Sequence, residues 1–219
     1  MRKVLYLGTD RNFSLEGCEV IHYPVILLVP KSIHDEKVQS CLKKLSLFTH
    51  CFLTSKNAVD ILFTLSVEAL ESLREKCISI GPATSAALQK RGIVPLWEAA
   101  ISSQEGMIEE MQKYSWENAY IFYPRSSLAR SCLASCLDYK KITYEALDLY
   151  DTRCRDVKPT FSLEEIDEII FTSPSTVKGF FKIFSKLPEG KKLRFQGPIT
   201  EEAFYRISLE NRDVRSELL

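Results

Sequence analysis

The feature of this sequence that most constrains its fold is an internal repeat. Thr54-Ser55, Val59 and Phe63 stand in the pattern TSxxxVxxxF, and Thr172-Ser173, Val177 and Phe181 repeat it. Further on, both GPATSAA at Gly81–Ala87 and GPITEEA at Gly197–Ala203 read GPxTxxA, 27 and 25 residues beyond their TS pairs. Eight identities in near-constant register mark two copies of one unit. In each copy an apolar run, HCFLT or EIIFT, leads into the TS pair, and a segment of helical period follows. The unit is therefore a strand running into a helix.

The rest of the chain keeps that alternation, which is the signature of an α/β fold. Strands are expected at Val4–Gly8, Val20–Val29, Cys51–Thr54, Cys77–Gly81, Tyr120–Pro124, Ile142–Thr152, Glu168–Thr172 and Leu193–Gln196. Helices are expected at Ala58–Leu65, Val67–Glu75, Ser85–Lys90, Glu105–Lys113, Leu128–Leu137, Val177–Phe184 and Glu201–Ile207. Two segments look unlike the others. Val20–Pro30 is long and extended with Pro24 inside it, and Ile142–Thr152 alternates apolar and polar residues. Proline sits poorly in a central strand. Two such strands fit a crossing between two domains, which leaves one domain discontinuous.

Composition narrows the function classes. With 29 Lys+Arg against 29 Asp+Glu, the 219 residues carry no net charge, which argues against a general nucleic-acid binder. No apolar run approaches the ~18 residues of a membrane span, and the apolar start Val4–Gly8 is too short for a signal peptide. The seven cysteines are scattered, form no CxxC pair and lie apart from the three histidines. Reduced thiols in a cytoplasmic protein are the expected state, with neither a zinc site nor a disulfide framework. No GxxxxGK[ST], GxGxxG, GxSxG or HExxH motif is present.

The chemistry that remains lies at the strand-to-helix junctions. A Thr-Ser pair there can cap the helix by accepting from an amide two or three residues on, and free amides form a ready anion site. In GPxT, Thr84 and Thr200 are expected to cap the helices that follow the turn. Capping alone accounts for any one junction. Four junctions, paired by duplication at strand carboxyl ends, fit ligand binding, because ligands of open α/β sheets bind there. YIFYPRSSLAR at Tyr120–Arg130 adds Arg125, Ser126 and Ser127; the arginine either meets an anion or is simply solvated. Tyr150 closes the second crossing strand, where a phenol can donate a proton or a hydrogen bond, or merely pack. The residues thus describe a two-domain α/β protein binding a small anion without metal or cofactor.

The ordered set FLTSKNAVDILF, SIGPATSAAL, YPRSSLAR, LYDT, FTSPSTVKGFF and GPITEEAF resembles the uroporphyrinogen-III synthase family over most of the chain. No single motif is specific; their order and spacing are. The resemblance implies two duplicated flavodoxin-like, parallel-sheet domains joined by a two-stranded β connector, with the active site in the cleft between them. One domain would comprise about Met1–Leu28 plus Arg155–Leu219, the other about Val29–Cys154. It implies a cyclising hydro-lyase acting on hydroxymethylbilane, a linear tetrapyrrole with eight carboxylates; a monomer is expected, with no cofactor, nucleic acid or membrane partner. Thr54, Ser55, Thr84, Thr172, Ser173, Ser175 and Thr200, with neighbouring amides, would hold the acetate and propionate groups. Arg125 and Ser126 would add a carboxylate contact, and Tyr150 would assist departure of the hydroxyl. Such chemistry needs a held conformation more than a strong acid or base, which fits the absence of a triad.

The sequence departs from that family's pattern in three places. Only Arg11–Gly17 joins the first two strands, where the family has an amphipathic helix. After GPITEEAF the family continues with a strand and a helix, whereas this sequence closes with RISLENRDVRSELL. PRSS replaces a glycine often found after PR. The alternative expectation is a non-catalytic or degenerate two-domain module that binds a tetrapyrrole or other small polyanion.

Overall fold

A computed structural model of the chain describes residues 1–184 and 186–216, with side chains up to residue 210. The chain divides into two compact units, Met1–Leu28 with Thr152–Leu219, and Val29–Asp151. For clarity they are the outer unit and the inserted unit.

The outer unit holds β1 (Arg2–Tyr6), β2 (Cys18–His22), β8 (Glu168–Phe171), α7 (Pro174–Ile183), β9 (Lys192–Phe195) and α8 (Pro198–Ser216). Its sheet runs β2-β1-β8-β9, and all three pairings are parallel. Leu5, Leu7, Ile169 and Phe171 meet Val177 and Phe180 of α7 and Phe204 of α8 in one core. Each such side chain contributes roughly 1.5–3 kcal/mol on burial.

The inserted unit holds α1 (Glu36–Lys43), β4 (His50–Leu53), α2 (Lys56–Leu65), α3 (Val67–Leu73), β5 (Cys77–Ser79), α4 (Pro82–Gln89), α5 (Gln104–Met111), β6 (Tyr120–Ser126) and α6 (Cys132–Tyr139). Its sheet runs β3-β7-β6-β4-β5, where β3 (Ile26–Pro30) and β7 (Thr143–Cys154) each contain a unit boundary. The β4/β5, β4/β6 and β6/β7 pairings are parallel. Phe52, Ile78, Ile121 and Tyr123 build the core against Met107, Met111, Leu133 and Leu137.

Several expectations are corrected. Val20–Val29 is not one strand: it breaks into β2 and β3 around Pro24, which has no N–H to give a ladder. The expected Ile142–Thr152 strand is the continuous β7. The helix expected at Leu128 begins only at Cys132, so Arg130 lies in the loop before it. Helix α4 starts three residues earlier than expected, with Pro82 at its first position, where a missing N–H costs nothing. Helix α1 was not expected at all. Its stripe is narrow, with Val38 and Cys41 as its buried residues, and its start is fixed by Asp35, which accepts from the amides of Lys37 and Val38.

The connection from β1 to β2 carries no helix, although a parallel pair normally needs one as its crossover. Phe13 and Leu15 pack on Val4, Tyr6 and Ile170 in its place. The Phe13 ring stacks on Tyr6 at 4.0 Å between centroids, covering a sheet face that a helix would otherwise bury. In the closing segment RISLENRDVRSELL, α8 runs to Ser216, and residues 217–219 lie outside the described residues. Among the described residues no helix is long and apolar enough to cross a membrane.

Candidate functional site

Parallel strands in each sheet point their carboxyl ends the same way, so every strand-to-helix junction of a unit opens on one edge. In the inserted unit that edge carries Thr54 and Ser55 after β4, Gly81 after β5, Arg125 and Ser126 at the end of β6, and Tyr150 on β7. In the outer unit it carries Thr172, Ser173 and Ser175 after β8, and Thr200 after β9.

Tyr150 is the centre of the inserted unit's edge. It stands opposite Ser126 in the β6/β7 register, just past an irregularity between Arg125 and Ser126. Its hydroxyl lies 3.2 Å from Ser55 Oγ, and Ser126 and Asn57 also hydrogen-bond it. The side chain is buried, and burial raises the phenol pKa above its ordinary value, against the opposing pull of those three partners. The phenol is protonated at neutral pH and can donate a hydrogen bond, although the upward shift makes it a weaker acid than a free tyrosine. Asn57 was not expected from sequence; its place two residues beyond the TS pair is the only signal.

Ser55 caps α2, accepting from the Ala58 amide at 3.1 Å. Its neighbour Thr54 hydrogen-bonds the phenol of Tyr123 on β6. Adjacent hydroxyls on one strand end therefore engage two tyrosines from the next two strands. Arg125 Nε pairs with Asp148 at 2.9 Å, a pair exposed enough to add little stability. The pairing uses one of five guanidinium N–H groups.

Thr84 and Thr200 are not the caps the sequence implied. Thr84 lies inside α4, whose N-cap is Gly81, and it is buried. The Gly81 carbonyl takes the Thr84 and Ser85 amides, each at 3.0 Å. Glycine is required there by proximity: a Cβ would run into the Ser102 side chain, with Ser102 Cβ 2.8 Å away. Thr200 lies within α8 and donates to the Gln196 carbonyl at 3.2 Å. In both turns the second residue is proline, so the chain enters the helix two residues before the threonine.

The outer unit's TS junction is wired differently from its twin in sequence. Ser173 caps α7, and Thr176 returns the bond in a capping box. Thr176 Oγ1 accepts from the Thr172 and Ser173 amides, each at 3.1 Å, and donates to the Ser173 carbonyl at 2.7 Å. Pro174 then occupies the first helical position and offers no N–H. The amides expected to be free for an anion are largely committed to the fold here. Thr172 itself lies close to the end of β1, where a Cβ on Gly8 would stand 2.8 Å from its methyl group.

These features define a protein of two parallel-sheet units whose strand ends carry hydroxyl groups and a buried phenol. A family model described as uroporphyrinogen-III synthase HemD matches residues 9–213, and the chain belongs to that family. The chain is 25% identical over 181 residues to the porphyrin biosynthesis protein HemD of Ruminiclostridium josui, covering 36% of that protein. It is also 25% identical over 162 residues to a chain of Methanothermobacter thermautotrophicus assigned as a uroporphyrinogen-III synthase, covering 64% of it. It thus spans less than two thirds of the length of these relatives. The crystal structure of uroporphyrinogen-III synthetase from Helicobacter pylori superposes with a TM-score of 0.63 at 17% identity, over 95% of this chain and 90% of that one. That likeness establishes the α/β fold with its parallel sheets.

Proposed function

We propose that this protein is a uroporphyrinogen-III synthase, a cyclising hydro-lyase of porphyrin and heme biosynthesis that converts hydroxymethylbilane into uroporphyrinogen III. The observation that carries the reading is the Tyr150 phenol, buried and ringed by Ser55, Ser126 and Asn57, in a chain whose family match spans residues 9–213.

In this reading Tyr150 gives its proton to the terminal hydroxyl, which leaves as water, while the pyrrole nitrogen's electron pair forms the azafulvene. The substituted carbon of ring D attacks that electrophile, and the spiro intermediate fragments and recloses with ring D inverted. A proton lost from the pyrrole restores the phenol. The pyrroles supply the electrons, so the protein's work is to hold the chain in the reactive shape, a contribution of up to roughly 7–11 kcal/mol. Thr54, Ser55, Thr84, Arg125 and Ser126 of the inserted unit, with Thr172, Ser173, Ser175 and Thr200 of the outer unit, are the proposed carboxylate contacts. Ser175 is favoured among the last four, because its amide is the first N–H that α7 has to offer.

We also read the two units as duplicates of a flavodoxin-like domain, with β3 and β7 as the connector. The order β2-β1-β8-β9 supports this, since it matches β7-β6-β4-β5 position by position, with TS after β8 and β4 and GP after β9 and β5. A monomer in the cytoplasm, needing no cofactor, completes the proposal.

The test is an assay on freshly prepared hydroxymethylbilane, separating type I and type III products after oxidation. Enrichment of type III is the expected result. Type I alone, from folded protein, would overturn the proposal in favour of a non-catalytic tetrapyrrole-binding module.

A further inference from the structure

Leu128 stands two residues beyond Ser126, in the loop that leads from β6 to α6, with 61% of its surface exposed. A leucine on a loose surface loop needs no explanation. This loop is braced on both sides. The Ser127 amide donates to the Tyr150 carbonyl at 3.0 Å, the Leu128 amide to Ser126 Oγ at 3.2 Å and the Ala129 amide to the Ser126 carbonyl at 3.0 Å. Gln104, at the start of α5 and only 6% exposed, holds the far side. Its Nε2 donates to the Arg130 carbonyl at 3.3 Å, and its Oε1 accepts the Leu133 N–H at 3.0 Å. The same Nε2 reaches the Tyr123 hydroxyl at 3.3 Å, which ties this anchor to β6. The next residue, Glu105, grips the Arg130 guanidinium with both carboxylate oxygens. The backbone is thus fixed before and after Leu128, while its side chain stands in water.

An isobutyl group contributes to folding only when its surface leaves water, so the fold itself gains little from this one. Its surroundings in the chain are those of the candidate site: Arg125 and Ser126 precede it, and its loop is bonded to the Tyr150 backbone. Hydroxymethylbilane carries its carboxylates on pyrrole rings, so polar and apolar groups alternate along it. A held apolar group beside carboxylate contacts matches that alternation, and a held group has little freedom left to lose when it is covered. We propose, on the reading of the protein as a uroporphyrinogen-III synthase, that Leu128 is a substrate-binding residue, a fixed apolar rest on which a pyrrole ring packs beside Arg125 and Ser126.

Leu128→Gln keeps the length of the side chain and makes it polar; Leu128→Met keeps it apolar. Because the side chain is exposed, both variants should melt within about 2 °C of wild type. Steady-state kinetics on hydroxymethylbilane are measured for both and for wild type, with type I and type III products separated. Packing against a ring acts alike on bound substrate and transition state, so Leu128→Gln should raise KM roughly 3–10-fold with kcat within about twofold. A purely structural defect would lower kcat through lost folded protein and leave KM alone. Leu128→Met should hold KM within about twofold of wild type. Wild-type KM in Leu128→Gln overturns the inference while wild-type turnover stands. An equal rise of KM in Leu128→Met also overturns it, since that variant keeps the apolar surface. Wild-type protein that makes no type III product overturns the reading of the protein and the inference with it.

Discussion

Ser55 Oγ lies 3.2 Å from the Tyr150 hydroxyl while accepting the Ala58 amide at 3.1 Å, so one side chain ties the start of α2 to a phenol on β7. A hydroxyl has two lone pairs and one proton, so Ser55 can hold the helix amide and the phenol at the same time.

Tyr150→Phe removes only the proton donor. On the proposed mechanism type III formation should fall about 100-fold or more, the usual contribution of a positioned general acid, with melting temperature nearly unchanged. Product analysis after timed incubation checks it, and wild-type rates in this variant would remove the tyrosine from the chemistry.

Ser55→Ala should act on both stability and rate. Loss of the cap costs about 1 kcal/mol, read as a lower urea midpoint, and loss of the phenol's partner should slow turnover severalfold. Ser55→Thr keeps a hydroxyl cap and should recover most of the stability.

Glu168 on β8 is fully buried between Arg194 Nε at 2.8 Å and Arg2 Nη2 at 3.3 Å, one from each flanking strand. Replacing both arginines by methionine would strand a buried carboxylate, at a cost of about 3–5 kcal/mol in urea unfolding. Adding Glu168→Gln should return much of it, because the amide carries no charge to bury.

His50 sits half-buried against Trp116, with ring centroids 5.0 Å apart, and burial holds its pKa below the ordinary 6.5. The unfolded chain therefore takes up this proton first as the pH falls. The stability that His50 supports is full above pH 6.5 and declines as pH drops through the lowered folded value. The difference between wild type and His50→Phe in denaturation midpoints from pH 7.5 to 5 measures this; the variant should show the shallower decline.

Much of the scaffold was legible because its signals are local. The TS and GP pairs mark strand ends in both units, and Ser55 and Ser173 cap their helices by bonds spanning three residues. The failures were local too, but turned on backbone detail. Thr84 and Thr200 looked like caps, yet proline at the first helical position moved each helix start ahead of them. The capping box at Thr176 was missed, although a hydroxyl three residues after Ser173 is its signal. Gln104 and Tyr123 left no signal at all: an amide at a helix start and an aromatic in a strand are ordinary until the fold joins them.

By itself the sequence determined the alternation of strand and helix, the repeat and the hydroxyl-bearing junctions, since periodicity and capping operate within a few residues. Only the tertiary structure decided which groups meet. The Ser55–Tyr150 contact joins residues 95 apart, and the Gln104–Tyr123 contact depends on how α5 packs beside β6. Strand order and register set such pairings, and a shift of one residue would turn every side chain of a strand to the opposite face.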